Sequence, residues 1–185
     1  MLDVAEAAFV ERGYAAVTTK EIAAAAEVPI GTLYQFFPDK GAILQALAER
    51  YTDLLDQQLQ HFATEAMLSL PLKSYVEQFI ESIDRFFQDT PGYQAVFAEI
   101  TTVMPETDEA GDQQLIQTFT RILPKLNDHL SAEDCEAISF VMVKAIGNLV
   151  WRASGQEPKF RQRLVKETQQ LAFNYLSPYL LAAAG

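Results

Sequence analysis

One cysteine, Cys135, stands among 185 residues. An internal disulfide framework is therefore excluded, and a reducing compartment is expected. The two histidines, His61 and His129, are isolated from one another and from ligand-spaced partners, so no metal site and no cofactor is expected. No apolar run approaches the length that spans a bilayer. Asp3 and Glu6 stand where a secretory leader carries basic residues, and a soluble, cytoplasmic chain is expected. Neither a phosphate loop nor a nucleophile–base arrangement is visible, which argues against an enzyme. Positive charge is also scarce: 14 Lys and Arg face 25 Asp and Glu, a net charge of −11. What is present, 49% hydrophobic and 21% charged residues, suits one or two globular domains with a real core.

The informative stretch runs from Thr18 to Lys40, TTKEIAAAAEVPIGTLYQFFPDK. Thr18 and Glu21 have capping-box spacing, which satisfies two backbone donors at a helix start. Ile22, Ala23 and Ala26 give the apolar side of a two-turn helix, and Glu27 and Val28 make the break. Pro29 suits the start of the next helix, where its missing N–H costs nothing. Leu33 and Phe37, four apart, face the core. Ile30, Gly31, Thr32, Tyr34 and Gln35 are left outward, and Asp39 caps a further helix that begins at Lys40. Upstream, Leu2, Ala5 and Phe9 mark a helix over residues 2–12, closed by Gly13. Helix, tight turn, helix is the layout of a DNA-reading helix-turn-helix.

With Ala5, Phe9, Gly13, Tyr14, Thr18, Thr19, Ile22, Ala23, Val28, Gly31, Thr32, Leu33, Tyr34, Phe37, Lys40 and Leu44 in place, the first fifty residues resemble the DNA-binding domain of the TetR family of bacterial transcription regulators. The resemblance implies an all-α fold, with a helix-turn-helix domain over residues 1–46 and a ligand-binding and dimerisation domain over 47–185. It implies phosphate contacts from Thr18 or Thr19, Tyr34 and Lys40, the last aided by its helix N-terminus. Ile30, Thr32 and Gln35 are then placed for base edges, with Gln suited to adenine and Ile or Thr to a thymine methyl. Gly31 completes the expected DNA face. Four positions depart from the family's usual residues: Glu27 for glycine, Pro29 for serine, isoleucine at 30 for a basic or polar side chain, and Phe36 for histidine. The base preference is left open by these changes.

Beyond residue 40 the pattern stays helical. Helices are expected over about 40–62, 71–88, 91–104, 115–129, 131–154 and 158–175, with a bend at Pro124, an acidic loop over 105–112 and an apolar tail after Pro178. Tyr75, Phe79, Phe86, Tyr93, Phe97, Met104, Phe119 and Trp151, with Asn148 as a polar group, are candidates to line an apolar ligand cavity. The resemblance favours that reading, although aromatic stripes at helical spacing are usually plain core. Glu99 reads as an exposed or paired carboxylate. Residues 131–154 and 158–177 correspond to the family's dimerising helices, and Phe140, Val143, Gly147, Trp151, Leu164, Leu171, Phe173 and Leu176 supply surplus apolar surface for ordinary packing or a dimer. Cys135 sits among Glu133, Asp134 and Glu136, which oppose a thiolate, so it reads as passive.

The acidity is unfavourable for DNA, since phosphate neutralisation supplies most non-specific affinity. Residues 1–50 hold only Arg12, Lys20, Lys40 and Arg50 against seven acids. A basic arm ahead of Met1, as family members carry, and segregation of acids away from the groove would both answer this. The expected function is a ligand-responsive repressor: a cytoplasmic homodimer on a palindromic operator, released by a small apolar molecule that shifts the 44–62 helix. The alternative is a helical ligand-binding or protein-interaction module that has lost DNA binding.

Overall fold

A computed structural model describes residues 1–181, and no strand occurs among them. The apolar tail expected after Pro178 runs on into 182–185, which lie outside the described residues. The helices are α1 (Leu2–Arg12), α2 (Thr19–Ala25), α3 (Ile30–Phe36), α4 (Lys40–His61), α5 (Glu65–Leu68), α6 (Leu72–Asp89), α7 (Pro91–Val103), α8 (Pro105–Leu126), α9 (Ala132–Val141), α10 (Asn148–Ser154) and α11 (Pro158–Leu180), with a π-helical turn Met142–Gly147 joining α9 to α10.

Two compact units are formed, and the chain enters each twice. The first gathers Met1–Asp53 and Thr90–Gly111; the second gathers Leu54–Asp89 and Asp112 onward. The boundary expected at residue 46 thus falls inside α4, and α7 belongs with the N-terminal helices. The first unit's core is Ala5, Phe9, Val17, Ile22, Ala23, Leu33, Leu44 and Leu47, joined by Val96 and Ile100 of α7.

Helix α7 packs along α1, and Gly92 makes the close approach possible. A Cβ at Gly92 would overlap the Tyr51 hydroxyl and the Glu6 carboxylate. Glu6 accepts hydrogen bonds from Tyr51 and from the Arg50 guanidinium, so these three groups are mutually held. Tyr93 stacks on Phe97 at 4.1 Å and meets Tyr51 edge-on.

The second unit is built on α6, whose Tyr75, Val76, Phe79, Ile80, Ile83, Phe86 and Phe87 are buried, packed against α10 and α11. Aromatic rings chain through it edge to face: Phe62 meets Tyr75 and Phe79, and Phe79 meets Phe119. Inside it, Asp56 accepts from Thr118 and Gln60, and Arg161 meets one Asp84 carboxylate oxygen at 2.7 Å, while the other Asp84 oxygen is buried without a hydrogen-bond partner among the described residues.

Four expectations are corrected. Residues 105–112 are not a loop but the start of α8. Proline is tolerated in a first helical turn, and Glu106 and Asp108 complement the positive end of the helix dipole. The same helix ends at Leu126, not near 129, with Pro124 in its last turn. Residues 131–154 are helical but not uniformly α: the hydrogen bonding widens to the π pattern over 142–147, an insertion that side-chain periodicity does not announce. Helix α11 also continues past Pro178 to Leu180.

Candidate nucleic-acid interface and apolar cavity

The helix-turn-helix is assembled by local chemistry. Thr18 accepts from the Glu21 backbone N–H while the Glu21 side chain accepts from the Thr18 N–H, closing the capping box. Glu27 adopts φ 54°, the left-handed conformation in which a glycine is ordinarily preferred. The Pro29 carbonyl then accepts from Thr32 and Leu33, starting α3. Leu33 is buried, and the helix exposes Ile30, Gly31, Tyr34, Gln35 and Phe36, with Thr32 half-buried. Phe36, at 65% exposure, is the most exposed of the large apolar side chains described. Thr19 and Tyr34 share a hydrogen bond of 3.1 Å between their hydroxyls, linking α2 to the exposed side of α3.

No charged side chain lies on α3, so an arginine–guanine contact, the commonest specific one, is not available from this helix. Gly31 has a further property. Nothing lies within 4 Å of where its Cβ would stand, and its φ is not positive. Neither the fold nor the backbone conformation requires glycine there.

The basic residues are largely committed inside the unit. Arg12 pairs with Glu21 at 2.7 Å, and Arg50 pairs with Asp3 and Glu6. Lys40, expected at a phosphate, donates to the carbonyls of Tyr14 (2.7 Å), Val17 (2.9 Å) and Ala15 (3.4 Å), with its ammonium 4.2 Å from the Tyr14 ring centre.

Glu21 carries an acid-sensitive element of this geometry. The bond to the Thr18 side chain, and then that to Arg12, hold its carboxyl at about 2, against 4.5 unperturbed. A folded-state value below the unfolded one means that the contribution is complete above about 4.5 and disappears as pH falls toward 2. Thermal melts followed by circular dichroism are expected to show a steeper acid decline for the parent than for Glu21→Gln across that window; superimposable profiles would contradict the assignment.

The second unit contains a small apolar cavity of about 20 Å³, room for about one water molecule. Tyr75, Val76, Phe79, Phe119, Ile122, Leu123, Leu126, Met142 and Leu176 line it. The Tyr75 hydroxyl is turned to the Phe62 carbonyl at 3.1 Å, and burial pushes its pKa up.

Of the nine expected lining residues, the structure brings Tyr75, Phe79 and Phe119 together here. Tyr93, Phe97 and Met104 belong to the first unit. Phe86 is buried against Phe87, Asn148 is exposed, and Trp151 is half-buried beneath the Arg152 guanidinium. The aliphatic lining was not among the expected residues, although Ile122, Leu123 and Leu126 share a helical stripe with Phe119.

Among the expected dimer residues, Phe140 and Leu171 are about half exposed, whereas Val143 and Leu176 are buried within the unit. Leu149 and Phe160 are further exposed apolar side chains on α10 and α11. A Cβ added at Gly147 would meet only the Met142 carbonyl, at an ordinary contact distance of 3.8 Å. The Cys135 thiol is buried, and burial followed by the Asp134 charge raises its pKa.

Residues 1–47 match a family model described as bacterial regulatory proteins, tetR family, and residues 71–176 match the tetracyclin repressor-like C-terminal domain. The fold is similar to that of a TetR-family transcriptional regulator from Streptomyces coelicolor, with 22% identity over 97% of this chain and 94% of that one and a TM-score of 0.74. It is also similar to the TetR-family regulator PfmR from Thermus thermophilus (18% identity, 94% and 96% covered, TM-score 0.64). A third likeness is to the fatty acid degradation regulator FadR from Bacillus halodurans (16% identity, 93% and 95% covered, TM-score 0.63). No curated protein matches the chain.

Proposed function

The chain belongs to the TetR family of bacterial regulatory proteins, and from that premise we propose that it is a cytoplasmic, homodimeric repressor released from a palindromic operator by a small apolar effector. It is a DNA-binding transcriptional regulator and not an enzyme. The observation that carries the DNA half is the exposed side of α3, with Ile30, Gly31, Tyr34 and Gln35 outward and Tyr34 tied to Thr19 of α2. In this reading Thr18 or Thr19, Tyr34 and Lys40 meet phosphates, Ile30, Thr32 and Gln35 meet base edges, and Gly31 lies on the same face. Exposed Phe140, Leu149, Phe160 and Leu171 on α9, α10 and α11 support a dimer, which would present two recognition helices to half-sites about one helical turn apart.

The cavity supports the effector class. Its lining is apolar apart from a tyrosine hydroxyl already bonded elsewhere. At about 20 Å³ it is far below the roughly 300 Å³ of a small-molecule site. An effector must therefore open it, moving α6, α8, the π-helical turn and α11. Helix α4 supplies no lining residue, whereas α8 supplies four and begins among the first unit's residues. We assign transmission to α8 in preference to the 44–62 helix. The effector acts only through its differential affinity for open and closed states.

Selection from a random duplex library, followed by titration of the complex with naphthalene or a medium-chain alcohol, tests both halves. Inverted repeats bound by two protomers and an at least tenfold loss of DNA affinity are expected. Enrichment without an effect at saturation removes the effector assignment. No enrichment favours the module that has lost DNA binding.

A further inference from the structure

We infer that α3 reads thymine methyl groups: Ile30 contacts the C5-methyl of one thymine in each half-site and Gln35 pairs with an adenine, so the base pairs under this helix are A·T. This deepens the DNA-binding reading above, which leaves the bases open, and it rests on that reading. The second helix of a helix-turn-helix lies in the major groove and contacts base edges from its N-terminal residues. Ile30 is the first residue of α3 and is 36% exposed. Gly31 and Gln35 each stand two residues from the buried Leu33, nearly half a turn round the helix, and so lie on the side away from the core. Nothing stands within 4 Å of where a Gly31 Cβ would be. The surface between Ile30 and Gln35 is therefore open to a close approach.

The chemistry of the remaining α3 side chains narrows what the helix can read. Guanine is read by the paired donors of arginine or lysine, and cytosine by a carboxylate, but α3 carries no charged side chain. Thr32 is half-buried, the Tyr34 hydroxyl is bonded to that of Thr19 at 3.1 Å, and the Phe36 ring has neither donor nor acceptor. Thymine is the one base that presents an apolar group in the major groove, which matches Ile30. Adenine presents an acceptor and a donor side by side, which match the amide of Gln35. Against a G·C pair, Ile30 would cover a base donor or acceptor and leave it unpaired, an unfavourable exchange. The isoleucine thus favours thymine and also opposes the alternatives.

The test uses the full chain and a duplex carrying the inverted repeat that the parent enriches from a random library, with affinity measured by fluorescence anisotropy at one fixed salt concentration. Each thymine is replaced in turn, symmetrically in both half-sites, by deoxyuridine, which lacks only the methyl group. At one such position the parent is expected to lose roughly fourfold per half-site, the worth of one buried methyl, and roughly fifteenfold for the dimer. Ile30→Ala should bind the thymine duplex more weakly and no longer distinguish uracil from thymine there, while keeping the parent's helical circular-dichroism spectrum. Ile30→Val, which keeps part of the side chain, should show an intermediate penalty. Gln35→Ala should lose the preference for adenine at one selected position. Binding that is indifferent to every thymine methyl overturns the proposal, as does a uracil penalty undiminished in Ile30→Ala or an adenine preference unchanged in Gln35→Ala. These failures leave the DNA-binding reading standing. If the parent enriches no duplex at all, that reading itself falls, and this inference falls with it.

Discussion

Gly31→Ala is expected to produce a more stable protein that binds its operator about a hundredfold more weakly. The two signs have separate causes. In the free protein the added methyl enters empty space, and glycine within a helix is less stable than alanine by roughly 0.5–1 kcal/mol. The melting temperature should therefore rise. On DNA, in the proposed reading, the same methyl stands on the exposed side of the recognition helix, where the backbone approaches the base edges. About 1.4 kcal/mol lost in each half-site is a factor of about ten, and two half-sites multiply to about a hundred. Gly31→Leu should lose binding further. Melting by circular dichroism and operator anisotropy on the same samples decide the matter. A variant that is more stable and binds with parental affinity would remove Gly31 from the interface.

Gly92→Ala is expected to act in the opposite sense, lowering the stability of the first unit by about 1–3 kcal/mol, the usual range for overpacking. Here the added Cβ meets the Tyr51 hydroxyl and the Glu6 carboxylate. Neither can withdraw freely, because Glu6 is bound by both Tyr51 and Arg50, and Tyr51 is buried with Tyr93 against its ring. Burial and the Glu6 bond both raise the Tyr51 pKa, so the hydroxyl remains a donor at neutral pH. Tyr51→Phe removes one of the colliding atoms. The double variant should therefore recover part of the Gly92→Ala loss, a coupling that a double-mutant cycle in urea would measure. Strict additivity would show that the collision is relieved elsewhere, by displacement of α7 from α1.

How far the sequence could be read follows from the separation of the groups involved. The capping box joins Thr18 to Glu21, the second box joins Ser131 to Asp134, and helix one ends at Gly13; each lies within a few residues of its partner. The start of α8 is equally local yet ambiguous, because the acids of residues 105–112 suit a solvated loop as well as a helix N-terminus. The aromatics show a different limit. Tyr93 and Phe97 have the helical spacing of Tyr75 and Phe79, and nothing in the spacing says that one pair packs beside α1 while the other borders the cavity. Unit membership depends on the chain leaving the first unit at residue 53 and returning at 90.

The sequence by itself determined the helical class and the helix-turn-helix, because periodicity, caps and turn residues act between near neighbours and survive without knowledge of the rest; the family followed from the resemblance of its matched residues. Only the tertiary structure decided that Lys40 is engaged by three carbonyls from 23 to 26 residues away and that Arg50 answers Asp3 and Glu6 across more than forty. It also decided that a glycine at 92 admits Tyr51 and Glu6. A charged side chain reads identically in a sequence whether it is free or committed. Its partners are chosen by the folding of distant segments.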